Sequence, residues 1–255
     1  MIHVRNVSKL FRVIHNRESS LKSKFVRMIR ARRPERVEDF WALKDVSFTV
    51  RRGETLAVLG RNGSGKSTLL RVISGIYPAT TGSVEVEGAG GMGATLELGV
   101  GFHPDLTGDE NLRLSAALRG LSRDQIEELT PRVVAFSELG DFMDVPMKFY
   151  SSGMYMRLAF SLETCLWPDA LLVDEALSVG DAAFKEKCNK RLLDHKERGG
   201  AILLVSHSPE QVRAVSDRAC ILEKGRLVLE GPVEKTIQAF SIMLRDGNRE
   251  AAPCS

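Results

Sequence analysis

Three short apolar runs without polar alternation stand out along the chain: Thr55-Leu56-Ala57-Val58-Leu59, Ala170-Leu171-Leu172-Val173 and Ala201-Ile202-Leu203-Leu204-Val205. Each reads as a buried strand, because a strand with one solvated face would alternate apolar and polar positions. Residues 2–11 and 83–88 alternate more loosely, and 42–50 continues into the turn Arg51-Arg52-Gly53-Glu54; all three predict strands. Residues 219–223 and 226–230 flank Lys224-Gly225 as a hairpin. Helical runs are expected at 69–73, 111–121, 123–139 and 155–166, and again over 233–244 after the Gly231-Pro232 break. Strands and helices therefore alternate, and the fold class is α/β. The glycine-dense stretch 88–101 predicts an ordered, mobile loop, and the polar residues 246–255 a disordered tail.

Composition narrows the class. At 255 residues, 43% hydrophobic and 27% charged, the chain can bury a sizeable core in one large domain or two small ones. No apolar run approaches the ~20 residues that span a bilayer. Met1-Ile2-His3-Val4-Arg5 lacks the basic-then-apolar order of a secretory signal. Cys165, Cys188, Cys220 and Cys254 have no metal-ligand spacing and predict reduced thiols in a cytoplasmic protein. The formal net charge of +3 does not by itself call for nucleic acid, but its distribution changes the picture. Residues 12–36 hold nine Lys or Arg against Glu18 and Glu35. There Leu21, Phe25, Met28 and Ile29 recur at helical spacing among Lys22, Lys24, Arg27, Arg30 and Arg33, up to Pro34. The segment 12–40 thus predicts a basic amphipathic helical insert. Such a helix faces either an anionic membrane or ligand, or its own domain.

The chemistry concentrates after the first buried run, in Gly60-Arg61-Asn62-Gly63-Ser64-Gly65-Lys66-Ser67-Thr68. Strand, glycine-rich loop and helix together make a phosphate-binding P-loop. Its glycines let backbone N–H groups approach phosphate oxygens, and the following helix adds its positive end. Lys66 is expected on the β- and γ-phosphates, and Ser67 on a magnesium ion. The second buried run ends in Asp174-Glu175, the Walker B arrangement. Asp174 suits magnesium, and Glu175 suits accepting a proton from the attacking water. Tyr150-Ser151-Ser152-Gly153-Met154 before a helix offers a second anion site, or an ordinary helix cap. The third buried run ends in Ser206-His207, where strand C-termini converge on the ligand edge of an α/β sheet. Phe11, at the end of the first strand, is a candidate to face adenine, or else plain core.

Residues 60–68, 150–154, 171–175, 178–181 and 206–207, in that order, resemble the ATPase subunit of ABC transporters over roughly residues 1–235. Within that group several stretches look like the polysaccharide exporters. They are Phe40-Trp41-Ala42-Leu43, residues 96–104, Leu106-Thr107-Gly108-Asp109-Glu110-Asn111, residues 150–154 and Val179-Gly180-Asp181-Ala182-Ala183-Phe184. The resemblance implies a P-loop NTPase of the ABC-ATPase fold. It would have a RecA-like core, an N-terminal antiparallel β-subdomain and a helical subdomain over 105–165, within a nucleotide-binding domain of 1–245. It implies ATP held by Gly60, Asn62, Gly63, Ser64, Gly65, Lys66, Ser67 and Thr68, with Phe11 stacked on adenine and Mg2+ on Ser67 and Asp174. Catalysis would fall to Glu175 and His207, the latter on the γ-phosphate. Ser151 and Gly153 would contact the γ-phosphate of a second copy, and Asp181 would link the two sites of a homodimer. Glu97 stands where the group usually has the Q-loop glutamine, and a carboxylate cannot donate the hydrogen bond an amide can; His103 is the other candidate. The signature also has Ser152 and Met154 where transporters commonly have Gly and Gln.

The implied partners are two copies of a polytopic transmembrane permease and, through it, a lipid-linked polysaccharide, with no nucleic acid. The place implied is the cytoplasmic face of the cytoplasmic membrane, as a peripheral subunit. O-antigen is the expected cargo, with capsule and teichoic acid as alternatives. The chain ends too early to carry the carbohydrate-binding domain some exporters append, so export without cap recognition is expected. A soluble ABC-type ATPase acting on nucleic acid or ribosomes would call for a long coiled coil or two nucleotide domains. An importer ATPase would call for a standard glutamine loop and no basic insert.

Overall fold

The computed structural model describes residues 1–15, 36–95, 99, 101–174 and 182–250. In chain order, β1 (Ile2–His15), β2 (Arg36–Val50) and β3 (Thr55–Leu59) precede helix α1 (Lys66–Ile73), β4 (Thr81–Val86) and β5 (Met92–Ala94). A helical lobe follows: α2 (Gly108–Leu118), α3 (Arg123–Ser137) and α4 (Ser152–Cys165). The chain then returns through β6 (Ala170–Val173), α5 (Ala182–Glu197), β7 (Ala201–Val205), α6 (Pro209–Val215), β8 (Arg218–Glu223), β9 (Arg226–Pro232) and α7 (Val233–Glu250). One antiparallel sheet has the order β2-β1-β4; the other, β5-β6-β7-β3-β8-β9, is parallel except for β9.

The strands without alternation are buried throughout, as expected for a sheet covered on both faces. Successive side chains on a strand point to opposite faces, so the same strands feed two cores. Ala57, Leu59, Leu171, Val173, Ile202 and Leu204 join the core shared with the helical lobe, α5 and α7. Leu56, Val58, Leu172, Leu203 and Val205 join the core shared with α1 and the antiparallel sheet.

Several boundaries differ from the sequence expectation. The insert does not begin at residue 12 or run to 40, because β1 and β2 form a longer hairpin. Their ladder pairs Phe11 with Phe40, Arg12 with Asp39 and His15 with Arg36. Charged residues can occupy this ladder because β2 is an edge strand, and Arg12 meets Asp39 at 3.4 Å. The amphipathic run from Leu21 to Arg33 lies outside the described residues. The loop expected over 88–101 contains β5, a strand of only Met-Gly-Ala laid parallel to β6. Gly93 belongs there by close approach: a Cβ would stand 2.8 Å from Pro168 and 3.3 Å from Leu171. Two helices of the lobe, α2 and α4, start earlier than their apolar spacing suggests, because caps set their N-termini, while α3 starts at Arg123 as expected. Thr107 and Glu110 form a capping box for α2, Ser122 and Gln125 one for α3, and Ser151 caps α4. At the other end, α7 continues to Glu250 instead of stopping at Leu244 before a tail; residues 251–255 lie outside the described part.

His195, at the end of α5, is 2% exposed and stacks on Trp167 at 5.9 Å between ring centroids. Neither ring nitrogen has a hydrogen-bond partner among the described residues. Burial first, then Arg191 and Arg198, push its pKa down from 6.5 to about 4, with Asp169 opposing. Below pH 6.5 the unfolded chain takes up a proton at this side chain that the folded chain refuses until about pH 4. Stability is therefore complete above 6.5 and falls as the pH drops through this window, by at most roughly 3 kcal/mol. Thermal unfolding from pH 7 to 5 is expected to show a steeper loss in the parent chain than in His195→Gln. Parallel slopes would remove the histidine from this account.

Candidate nucleotide site

The C-terminal ends of β3, β6 and β7 lie side by side in the parallel sheet. Chain order thereby brings the loop after β3, the acid after β6 and Ser206-His207 after β7 to one edge, where α/β sheets bind ligands. A cavity of about 420 Å3 opens there, lined by Asn62, Gly63, Gly65, Lys66, Ser67, Thr68 and Asp174, with Phe40 and Ala42 from β2. Gly65, in the left-handed region at φ 109°, caps α1. A side chain there would be strained by the backbone and would meet the Ala42 carbonyl oxygen at 2.6 Å. Gly65→Ala is thus expected to push the loop out of shape and abolish nucleotide binding. Titration with a fluorescent ATP analogue measures this, and near-parental affinity would refute it.

Lys66 is 7% exposed and donates from Nζ to the carbonyl oxygens of Gly60 (2.7 Å) and Arg61 (3.1 Å). Burial pulls its pKa down, with the Asp174 charge opposing. Burial likewise pushes the Asp174 pKa up, against Lys66 and Arg71. The two are a cation and an anion in one partly dry cavity, each relieving the other's desolvation. The backbone N–H of Asp174 donates to Thr95 Oγ1 at 3.0 Å, and Thr95 is 1% exposed just beyond β5. Sequence reasoning missed Thr95; its only signal is a lone hydroxyl in a glycine-rich run. Ser67 is exposed on the same cavity, so a hydroxyl and a carboxylate face one space, an oxygen pair suited to a hard divalent cation.

The aromatic residue lining the cavity is Phe40, 54% exposed, and not Phe11. Phe11 is its cross-strand neighbour, held edge-on by Tyr77 at 5.5 Å and approached by Lys9 Nζ at 5.2 Å. Phe40 was legible only as part of a stretch of likeness, because the long hairpin that carries it was not predicted. Ser64 is buried under the loop and hands its carbonyl to the Gly225 N–H at 2.8 Å. His207 is exposed just past β7, while Ser206 is buried and donates to Gln211 Oε1 at 2.9 Å.

Ser151 and Gly153 stand at the start of α4 in the helical lobe and do not line the cavity. Ser151 Oγ accepts from the Met154 N–H at 3.2 Å, so the cap reading holds whatever else this turn binds. His103 is exposed; its N–H donates to Asn111 Oδ1 at 2.6 Å, and it too lies outside the cavity lining. Glu97, Glu175 and Asp181 fall outside the described residues.

Comparison with known proteins gives this geometry its family. The ABC transporter family profile matches residues 43–178. An O-antigen export system ATP-binding protein, RfbB of Klebsiella pneumoniae, is 42% identical over 94% of this chain and 97% of its own. The teichoic acids export ATP-binding protein TagH of Listeria innocua is 37% identical over 98% of this chain and 72% of its own. Among solved structures, an ATP-binding subunit of an ABC transporter superposes with a TM-score of 0.76 at 22% identity, covering 96% of this chain and 99% of that one. A dimeric ATP-binding cassette with ADP and phosphate gives 0.72 at 21% identity, over 91% and 99%. These two likenesses speak to the fold, and the fold, the loop and the relatives agree: the chain belongs to the ABC transporter family, as an ATPase subunit.

Proposed function

We propose that this ATPase drives export of a lipid-linked polysaccharide, O-antigen first among the candidates. Two copies would act on two copies of a polytopic permease at the cytoplasmic face of the membrane. The observation that carries the reading is the near full-length identity to an O-antigen export subunit, higher than that to the teichoic acid exporters. Among the described residues no helix is long and apolar enough to cross a membrane, which fits a subunit working through a separate permease. Teichoic acid is the second reading, favoured by a relative that aligns over 98% of this chain.

In this reading Lys66 and the loop N–H groups hold the β- and γ-phosphates. Ser67 and Asp174 would hold Mg2+, and the fit rests on their shared cavity and on the carboxylate's burial beside Lys66. When bound, the ion neutralises charge that builds on the phosphates. Glu175 accepts the proton of the attacking water, His207 donates toward the γ-phosphate, and Phe40 with Phe11 faces the base. Glu97 stands at the Q-loop position. Ser151 and Gly153 do not line their own chain's cavity. A second copy turned head to tail would supply them, with Asp181 between the sites.

Affinity purification of the tagged chain from a native membrane extract tests the reading. The expected companion is a polytopic membrane protein; nucleic acid in its place would overturn export. Reversing charge at Arg27, Arg30 and Arg33 is expected to lower surface polysaccharide at least several-fold while basal ATPase activity changes less. Unchanged export would make that segment a solvated embellishment.

A further inference from the structure

A second cavity, of about 480 Å3, opens between α3, the end of α4 and α5, at the start of β6 and so at the far end of that strand from Asp174. Arg132, Lys187, Arg191 and Arg198 line it together with Phe136 and Trp167, and no carboxylate does. Lys187 is answered by Glu138 at 2.6 Å. Arg132 spends one N–H on the Cys165 carbonyl at 2.6 Å, which leaves its charge uncompensated. Among the described residues Arg132, Arg191 and Arg198 form no ion pair. Three guanidinium charges therefore converge on one concave space.

The aromatic rings do not offer stacking platforms here, because cations already cover them. The Arg191 guanidinium carbon lies 4.2 Å from the centre of Phe136 and 4.8 Å from that of Trp167; Arg198 lies 4.0 Å from Trp167. A guanidinium laid on a ring keeps its in-plane N–H donors, and the ring removes much of its freedom to move. That is a preorganised fork for oxyanions. Trp167 is itself held at φ 52°, a region that a bulky side chain enters only when its surroundings impose it. The volume matches a small ligand, and the charge matches one with several negative oxygens.

We propose that this cavity is an anion site that takes a diphosphate group, separate from the nucleotide cavity. An occupant joins Arg132 on α3 to Arg191 on α5 and Arg198 just beyond it, and so braces the helical lobe against the core helix. The diphosphate is either free or the end of a larger molecule; the recognition chemistry is the same.

The chain's two tryptophans allow a direct test, since Trp41 sits beside the nucleotide cavity and Trp167 in the second one. In Trp41→Phe, inorganic pyrophosphate at constant ionic strength is expected to change Trp167 emission saturably and to raise the melting temperature. Both responses should survive Lys66→Met and weaken at least about tenfold in Arg191→Gln/Arg198→Gln. ATPase turnover and unfolding of the double variant check its fold, and Arg198→Gln alone serves if the pair does not fold. ADP added in the Lys66→Met background separates the sources: a tighter response than pyrophosphate marks the end of a larger molecule, a weaker one the free ion. No saturable response to either, or one lost with Lys66→Met and kept in the arginine variants, overturns the site and leaves a purely structural ladder of rings and cations.

Discussion

Glu175→Gln is expected to bind ATP normally, lose turnover by roughly 10²–10⁴-fold and accumulate as an ATP-bound dimer. The amide keeps the shape of the carboxylate but cannot take a proton from water. Binding is carried elsewhere, by Lys66 and the loop before α1, so affinity should hold while the chemical step fails. Two chains closed over uncleaved ATP then have no route apart. Steady-state phosphate release and size-exclusion chromatography with ATP check both halves of the expectation. Turnover near the parental rate would move the base elsewhere; a lost step without dimers would separate hydrolysis from assembly.

Lys66→Met should fail earlier, at binding. The ammonium is buried against the Gly60 and Arg61 carbonyls and faces Asp174. Removing it deletes a charged donor to the phosphates and takes away the Lys66 charge that opposes the desolvation of the Asp174 carboxylate. Charged hydrogen bonds contribute about 1.5–3 kcal/mol, so ATP affinity is expected to fall on the order of 100-fold. Methionine fills similar apolar volume, and the fold should survive because both cores lie beneath the loop. Equilibrium nucleotide titration, paired with thermal unfolding, distinguishes a lost site from a lost fold. Parental affinity would show that the loop N–H groups suffice.

What could be read in advance was whatever one stretch of chain encodes alone. The strands at 55–59, 170–173 and 201–205 are apolar throughout because they are buried on both faces, and that burial is written residue by residue. The P-loop was legible for the same reason: a glycine at 65 and a lysine at 66 have few other uses together. The misses share a different cause. Met-Gly-Ala becomes a strand only because β6 lies beside it and Pro168 leaves room for nothing larger than glycine. Arg12 and Asp39 belong to a ladder whose other half is far along the chain. Phe40 and Thr95 reach the site through that hairpin and that short strand, so they were hidden together with them. The caps Thr107 and Ser151 were in plain view, yet apolar spacing alone placed the starts of α2 and α4 too late; α3, capped by Ser122, begins where its spacing put it.

The division of the parallel sheet between two cores gives neighbouring codons different owners. Shaving a methyl group from Leu56 or Val58 loosens the floor under α1 and the hairpin; the same loss at Ala57 or Leu59 is felt by the helical lobe. Natural variation along β3 is therefore filtered by two separate pressures that alternate with each step of the chain. One guards the floor under the phosphate loop and α1, the other the seat of the helical lobe. A second-site suppressor of a β3 lesion should arise on the side of the sheet to which the lesion belongs.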